Sequence, residues 1–271
     1  MNRLEQIKQL NQMLIAEMPE VESQAAQVPD DLKSQRQLLR ALMNIRPLMP
    51  LDEDFLKLQD ELLSAEVQDK GIVTIEEITS QFLIPNSSFL IKLWQGDITR
   101  LEVDAIVNAA NSALLGCFVP CHGCIDNAIH SASGLQLRDA CNKIMEVQWH
   151  EEATGQAKIT PAYNLPSKFV IHTVGPIIPP DRLPNLTEEE LLASCYKSCL
   201  EVAVENNLKS IAFCCISTGE FHFPNQRAAE IAIETVTDFI NHNNSDITVI
   251  FNTFKDIDTQ IYSTLLHAAS A

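Results

Sequence analysis

Val103-Asp104-Ala105-Ile106-Val107-Asn108-Ala109-Ala110-Asn111 is the stretch from which the rest of the chain is read. Its apolar run, Ala105-Ile106-Val107, has the look of a short strand buried on both faces. The run passes directly into two amides separated by small side chains, Asn108 to Asn111. In a parallel sheet, ligands bind at the carboxyl ends of the strands, which is where these amides would lie. The small residues between them leave room for a sugar. An Asn-rich turn is the competing reading of the same tetrapeptide.

Working outward, residues 89–94, 168–172, 211–215 and 247–251 read as further strands. Helical segments fall between them at 124–132 and 135–148, separated by Gly134, and at 188–206, 226–241 and 256–268. This alternation predicts an α/β domain over residues 81–271, with a mixed, largely parallel sheet covered on both faces. Residues 1–80 are different. Leu4, Ile7, Leu10 and Leu14 repeat at helical spacing; Leu38, Leu39, Leu42 and Met43 form a second stripe that ends before Arg46-Pro47; Phe55, Leu58, Leu62 and Leu63 form a third, closed by Gly71. We expect a helical N-terminal extension without strands, its charges forming solvated faces.

The bulk numbers exclude several classes. Of 271 residues, 46% are hydrophobic and 20% charged, as in soluble globular proteins. No apolar run approaches the ~18 residues of a membrane span. The first twenty residues lack the pattern of a signal peptide, so a cytoplasmic protein that does not bind membranes is expected. A net charge of −17, from 36 acidic and 19 basic residues, argues against nucleic acid as a partner. A small anion remains compatible with it, because backbone N–H groups bind a diphosphate locally.

Eight cysteines in such a chain are not expected to form a disulfide framework. Cys141, Cys195, Cys199, Cys214 and Cys215 read as small buried hydrophobes. Cys117, Cys121, His122 and Cys124 fall within eight positions, a density of thiolate and imidazole donors that suits zinc. A three-ligand site with an open position, a closed four-ligand site including Cys121, and a loop of incidental thiols all fit these residues. The closed site is the harder one to build, since the adjacent Cys121 and His122 would both have to turn toward one ion. Ser217-Thr218-Gly219-Glu220-Phe221 follows another strand, and its hydroxyls, glycine and N–H groups suit a phosphate.

Taken in order, Gly96-Asp97-Ile98-Thr99, residues 103–111, Ile125-Asp126-Asn127-Ala128-Ile129-His130, Tyr163-Asn164-Leu165-Pro166, His172-Thr173-Val174-Gly175-Pro176 and Ser217 to Phe221 resemble the macrodomain family over about residues 89 to 266. The Cys/His insertion stands where the MacroD-type branch usually has a glycine-rich loop. The resemblance is therefore to zinc-containing microbial macrodomains, which also carry a helical N-terminal extension. It implies a three-layer α/β/α fold and a hydrolase that removes mono-ADP-ribose from a modified protein, with one zinc ion per chain held by Cys117, His122 and Cys124.

The resemblance also implies that Asp97 and Ile98 meet the adenine, with Phe254 stacking on it. Ser217, Thr218, Gly219 and Glu220 would hold phosphate, Phe221 would pack near the distal ribose, and Asn111 would hydrogen-bond that ribose. Asp126 would be the catalytic aspartate, lining the ligand together with Cys124 and Ile125. It further implies a lipoyl-carrier substrate of the glycine-cleavage H type, modified by a sirtuin-like transferase. A non-catalytic ADP-ribose reader, or an O-acetyl-ADP-ribose deacetylase with structural zinc, are the alternatives. His222 departs from the family, standing where a glycine is usual. It would be costly if the backbone there needs positive φ.

Overall fold

The computed structural model describes residues 2–83, 90–243 and 245–270. Helices α1 (Arg3–Glu17), α2 (Glu22–Ala25), α3 (Leu32–Ile45) and α4 (Glu53–Lys70) come first. Each long helix starts on a side-chain cap: Asn2 and Glu5 form a capping box, Asp31 accepts from the Ser34 N–H, and Asp52 accepts from the Phe55 N–H. These caps satisfy donors that a helix start leaves orphaned. α3 stops just before Arg46-Pro47, and α4 stops at Gly71, whose φ is +80°. The expected stripes meet in one apolar cluster of Ile7, Leu10, Leu14, Leu39, Leu42, Phe55 and Leu62, which Leu135 from the following domain completes.

The strands are β1 (Val73–Thr74), β2 (Gln81–Leu83), β3 (Leu90–Gln95), β4 (Leu101–Glu102), β5 (Ala105–Ala110), β6 (Ala157–Pro161), β7 (Phe169–Val174), β8 (Ser210–Phe213) and β9 (Thr248–Thr253). The main sheet has seven strands in the order β2-β3-β9-β8-β5-β7-β6. β3, β9, β8, β5 and β7 run parallel, while β2 and β6 close the edges antiparallel. Helices α5 (Ile125–Ser133) and α6 (Leu135–Gln148) pack as a pair. Helices α7 (Leu186–Glu205), α8 (Asn225–Asn243) and α9 (Asp256–Ala269) pack side by side in series. This is the expected α/β architecture, with the helical segment ahead of the sheet. Among the described residues, no helix is long and apolar enough to cross a membrane.

Three details depart from expectation. The first eighty residues do contain a strand, since β1 pairs in parallel with β4; two residues are too few for any periodicity to show. The edge strand β6 lacks alternation and ends in Pro161, which the ladder tolerates only at an edge. β8 ends at Phe213, and Cys214 and Cys215 lie in the irregular segment beyond it. The expected strand start at Phe89 lies outside the described residues.

The extension is joined to the sheet domain by a buried cation. Arg138 of α6 is 5% exposed. Its guanidinium donates to the carbonyls of Met43 (3.1 Å), Asn44 (3.0 Å) and Arg46 (2.7 Å) at the end of α3, and to Leu115 (2.8 Å). It also lies 4.4 Å from the centre of the Phe118 ring. A positive charge on the last carbonyls of a helix satisfies orphaned acceptors and complements the helix dipole. Burial lowers its pKa to about 10, which leaves it charged at neutral pH. Arg138→Ala strands four carbonyls, so we expect a loss of at least about 3 kcal/mol in the unfolding free energy, measured by urea titration.

Candidate active site at the carboxyl edge of the sheet

The five parallel strands deliver the sequence-predicted residues to one edge. Gly96, Asp97 and Ile98 follow β3, Phe254 follows β9, the 217–221 loop follows β8, and Asn111 follows β5. β7 and β8 lie on opposite sides of β5, so the chain order reverses between β5 and β8. The crevice outside such a reversal is where open α/β sheets take their ligands. The two loops that flank it meet, with His122 Nε2 3.8 Å from Glu220 Oε2.

Asp126 sits in the first turn of α5, where a carboxylate favours the helix dipole. It is 4% exposed. Asn108 Nδ2 donates to its Oδ1 at 2.7 Å, Asn111 Nδ2 approaches its Oδ2 at 3.4 Å, and His130 Nε2 lies 3.5 Å from Oδ1. Burial pushes its carboxyl up to about 6, against the Asn108 hydrogen bond and the Arg138 charge. The same Asn108 amide donates to His172 Nδ1 at 3.2 Å, so the neutral ring carries its proton on Nε2 and donates to Thr160 Oγ1 at 2.9 Å. Burial lowers the His172 pKa to about 3 and that of His130 well below its ordinary value. Both imidazoles are therefore uncharged; His172 braces the Asn108 amide, and His130 stands beside the carboxyl with both ring nitrogens unpartnered.

Cys117, His122 and Cys124 are half-buried and bring their donor atoms within 4.8 Å of one another. His122 Nδ1 is buried and has no hydrogen-bond partner. Cys124 is the N-cap of α5, its sulfur accepting from the Asn127 N–H at 3.4 Å. Burial pushes its thiol up to about 12, and the neighbouring Cys117 and Asp126 add to the shift. Two thiols, an orphaned imidazole nitrogen and their convergence fit a zinc ion. Cys121 is turned out of this group by a positive φ of +53°, and its thiol faces the Gln37 carbonyl at 3.5 Å.

A second set of donors, His130, Cys141 and His172, also converges within 4.8 Å and is wholly buried. A metal ion there would compete with the hydrogen bonds that His172 makes through both ring nitrogens, whereas both ring nitrogens of His130 are buried without a hydrogen-bond partner.

The 217–221 loop is shaped as an anion cradle. Ser217 adopts a left-handed φ of +64°, and its hydroxyl is buried without a partner. The loop is closed by His222 N–H donating to the Gly219 carbonyl (3.1 Å) and Phe223 N–H to the Ser217 carbonyl (2.9 Å). The N–H groups of Gly219, Glu220 and Phe221 donate to no protein acceptor among the described residues. Successive free amides of this kind bind phosphate. Gly175 makes the close approach possible: a Cβ there would stand 2.0 Å from Ser217 Oγ. His222 does take a positive φ, +56°, so a side chain occupies a conformation that favours glycine. It is exposed and belongs to neither donor group.

Beyond β3, Asp97 Oδ1 accepts from the Thr99 N–H and hydroxyl, and Oδ2 lies 3.8 Å from Lys70 Nζ. Ile98 is buried, whereas Phe254 is 74% exposed and presents a free ring at the edge.

Several polar residues at the site escaped the sequence reading. Asn108 had been singled out only as part of a tetrapeptide, and His130 and His172 only as members of motifs. Arg40 belongs to the charges expected on solvated helical faces, and Asn44 carries no sequence signal of its own. Arg40 instead reaches the His122 carbonyl and Asn127, and Asn44 accepts from the Cys121 N–H. Nothing local could show this, because the partners lie roughly eighty residues apart.

Comparison with known proteins agrees with this geometry. The family model described as "Macro domain" matches residues 107–232. A protein-ADP-ribose hydrolase of Treponema medium is 51% identical over 242 residues, covering 89% of this chain and 90% of its own. A protein-ADP-ribose hydrolase of Staphylococcus aureus is 45% identical over 236 residues, covering 87% and 86%. Among solved structures, the Trypanosoma brucei macrodomain in complex with ADP-ribose aligns with a TM-score of 0.62 at 30% identity, covering 84% of this chain and 94% of its own. With its parallel sheet, its edge crevice and relatives of this similarity, the chain belongs to the macro domain family.

Proposed function

We propose that this protein is a protein-ADP-ribose hydrolase that removes mono-ADP-ribose from a modified protein, with one zinc ion held by Cys117, His122 and Cys124. The observation that carries the reading is the buried Asp126 carboxylate two residues beyond Cys124, beside three convergent donors and within reach of Asn111. The names of the T. medium and S. aureus relatives support it, as does the ADP-ribose complex of the T. brucei relative.

Asp97 and Ile98 bind the adenine, with the exposed Phe254 ring against it. Ser217, Thr218, Gly219 and Glu220 cradle the diphosphate, with the free amides of Gly219 and Glu220 turned to it, and Phe221 packs near the distal ribose. Asn111 hydrogen-bonds that ribose, which lies against Cys124, Ile125 and Asp126. When bound, zinc supplies Lewis acidity toward oxygen ligands. Asp126 orients the attacking water, held in place by Asn108. Much of the rate then comes from positioning a substrate anchored along its whole length. Both substrate partners are thereby assigned: ADP-ribose as the bound group, and a mono-ADP-ribosylated protein as its carrier. The resemblance favours a lipoyl-bearing protein of the glycine-cleavage H type as that carrier.

Release of ADP-ribose from such a modified carrier should stop when a chelator removes about one zinc per chain, and should return when zinc is restored. Release that persists after complete metal removal would demote the ion to a structural role, and no release despite tight ADP-ribose binding would mark a reader. Equal or faster turnover of O-acetyl-ADP-ribose would point to the deacetylase. Asp126→Ala should cut turnover by at least ~100-fold while calorimetry finds ADP-ribose affinity within about tenfold of the parent. Gly175→Ala should displace the Ser217 hydroxyl and weaken ADP-ribose binding by about tenfold, roughly 1.4 kcal/mol; unchanged affinity would remove the 217–221 loop from the binding site.

A further inference from the structure

The segment bearing the three candidate ligands has no helix or strand of its own between β5 and α5. Its shape is held from outside by two residues of α3. Arg40 Nε and Nη2 both donate to Asn127 Oδ1, at 3.0 and 2.7 Å, and Nη2 also donates to the His122 carbonyl at 3.2 Å. Asn127 is fully buried and passes the restraint on. Its Nδ2 donates to the carbonyls of Val119 (3.0 Å) and Cys117 (3.5 Å), and its backbone N–H donates to the Cys124 sulfur (3.4 Å). The Arg40–Asn127 pair therefore touches all three ligand residues: the carbonyls of Cys117 and His122, and the sulfur of Cys124.

Asn44 secures the turn between them. Its Oδ1 accepts from the Cys121 N–H at 2.9 Å, and its Nδ2 donates to Ser131 Oγ at 3.1 Å. Ser131 Oγ lies 3.3 Å from Asn127 Oδ1, which closes the network. In a chain with 36 acidic residues, Arg40 forms no ion pair among the described residues and directs its N–H groups at this loop instead. An arginine fork locks geometry where a lysine supplies only charge. Partners that orient metal ligands change metal affinity by about 10–100-fold when removed.

We propose that Arg40 and Asn44 are positioning residues for metal binding, holding the Cys117–Cys124 loop in its ligating shape through Asn127, and that the helical extension is thereby a working part of the site. This rests on the reading of Cys117, His122 and Cys124 as the metal ligands.

The test uses the full chain and zinc competition against a chromogenic chelator. Arg40→Ala should lower zinc affinity by about 10–100-fold, Asn44→Ala by a smaller factor, and Arg40→Lys should recover only part of the loss. Arg36→Ala is the control: it removes a two-pronged pair with Glu66 inside the extension (2.6 and 2.8 Å) and should leave zinc affinity within about twofold of the parent. Unchanged affinity in Arg40→Ala, or an equal loss in Arg36→Ala, overturns the proposal. Hydrogen exchange on the metal-free proteins separates it from the zinc reading. Amides of residues 117–124 should exchange faster in Arg40→Ala and Asn44→Ala than in the parent or Arg36→Ala, whether or not the parent binds zinc. Equal exchange in all four sinks the positioning role, whereas a parent that binds no zinc sinks the metal reading.

Discussion

The hydrogen bond from Asn108 to Asp126 ties the sheet to the helix that carries the site. Asn108 lies in β5 and is fully buried, and its amide spans the gap to the first turn of α5. Between these two anchors the chain runs through Asn111 and the Cys/His loop and back. Both ends of that excursion are thus fixed within one hydrogen bond of each other. A buried carboxyl without such donors would be costly to keep charged. The Asn108 amide, the neutral imidazoles beside it and the charge of Arg138 make its environment tolerable. Asn108, Asp126, Asn127, His130 and His172 are thus buried polar residues gathered where β5 meets α5.

The extension follows from the same constraint. A fourteen-residue excursion without helix or strand would be expected to sample many shapes, and the bond at its base restricts only its ends. Arg138, Arg40 and Asn44 supply the restraints along its length. Each acts on carbonyls or N–H groups rather than on carboxylates, so the loop gains fixed geometry without acidic residues of its own. The apolar cluster of α1, α3 and α4, completed by Leu135, holds α3 where those side chains reach.

How much of this could be read beforehand depended on the range of the interaction. The central strands announced themselves because double-sided burial forces apolar runs such as Ala105-Ile106-Val107. The long helices did so through periodic stripes and caps such as Asp52 before Phe55. The two-residue β1 and the edge strand β6 carry neither signal, because one is too short and the other is buried on too little of its surface. The three ligand candidates lie within eight residues, so their convergence was visible as a density of donors. Whether Cys121 joins them depends on a left-handed backbone angle and a carbonyl in α3, which local sequence does not reveal. Arg40, which the alternation of charge assigned to solvent, was misread for the same reason: its partners stand 82 and 87 positions away.

The distribution of charge shows how an acidic chain accommodates an anionic ligand. At the amino ends of the strands, Asp104 pairs with Lys168 and accepts from the backbone of Lys209 and Ser210, and Lys209 pairs with Asp246. Fixed side-chain charges of both signs hold that edge together. At the carboxyl edge, the 217–221 loop offers peptide N–H groups instead, aimed by the left-handed turns at Ser217 and His222. Peptide dipoles act at contact range and do not depend on the net charge of the molecule. A surface of −17 therefore discourages long polyanions from approaching while leaving a short diphosphate able to bind. Holding Ser217 and His222 at positive φ costs on the order of 1 kcal/mol each. That strain is tolerated where it points amides into the crevice, and Gly175 opposite them is the small residue that leaves the space.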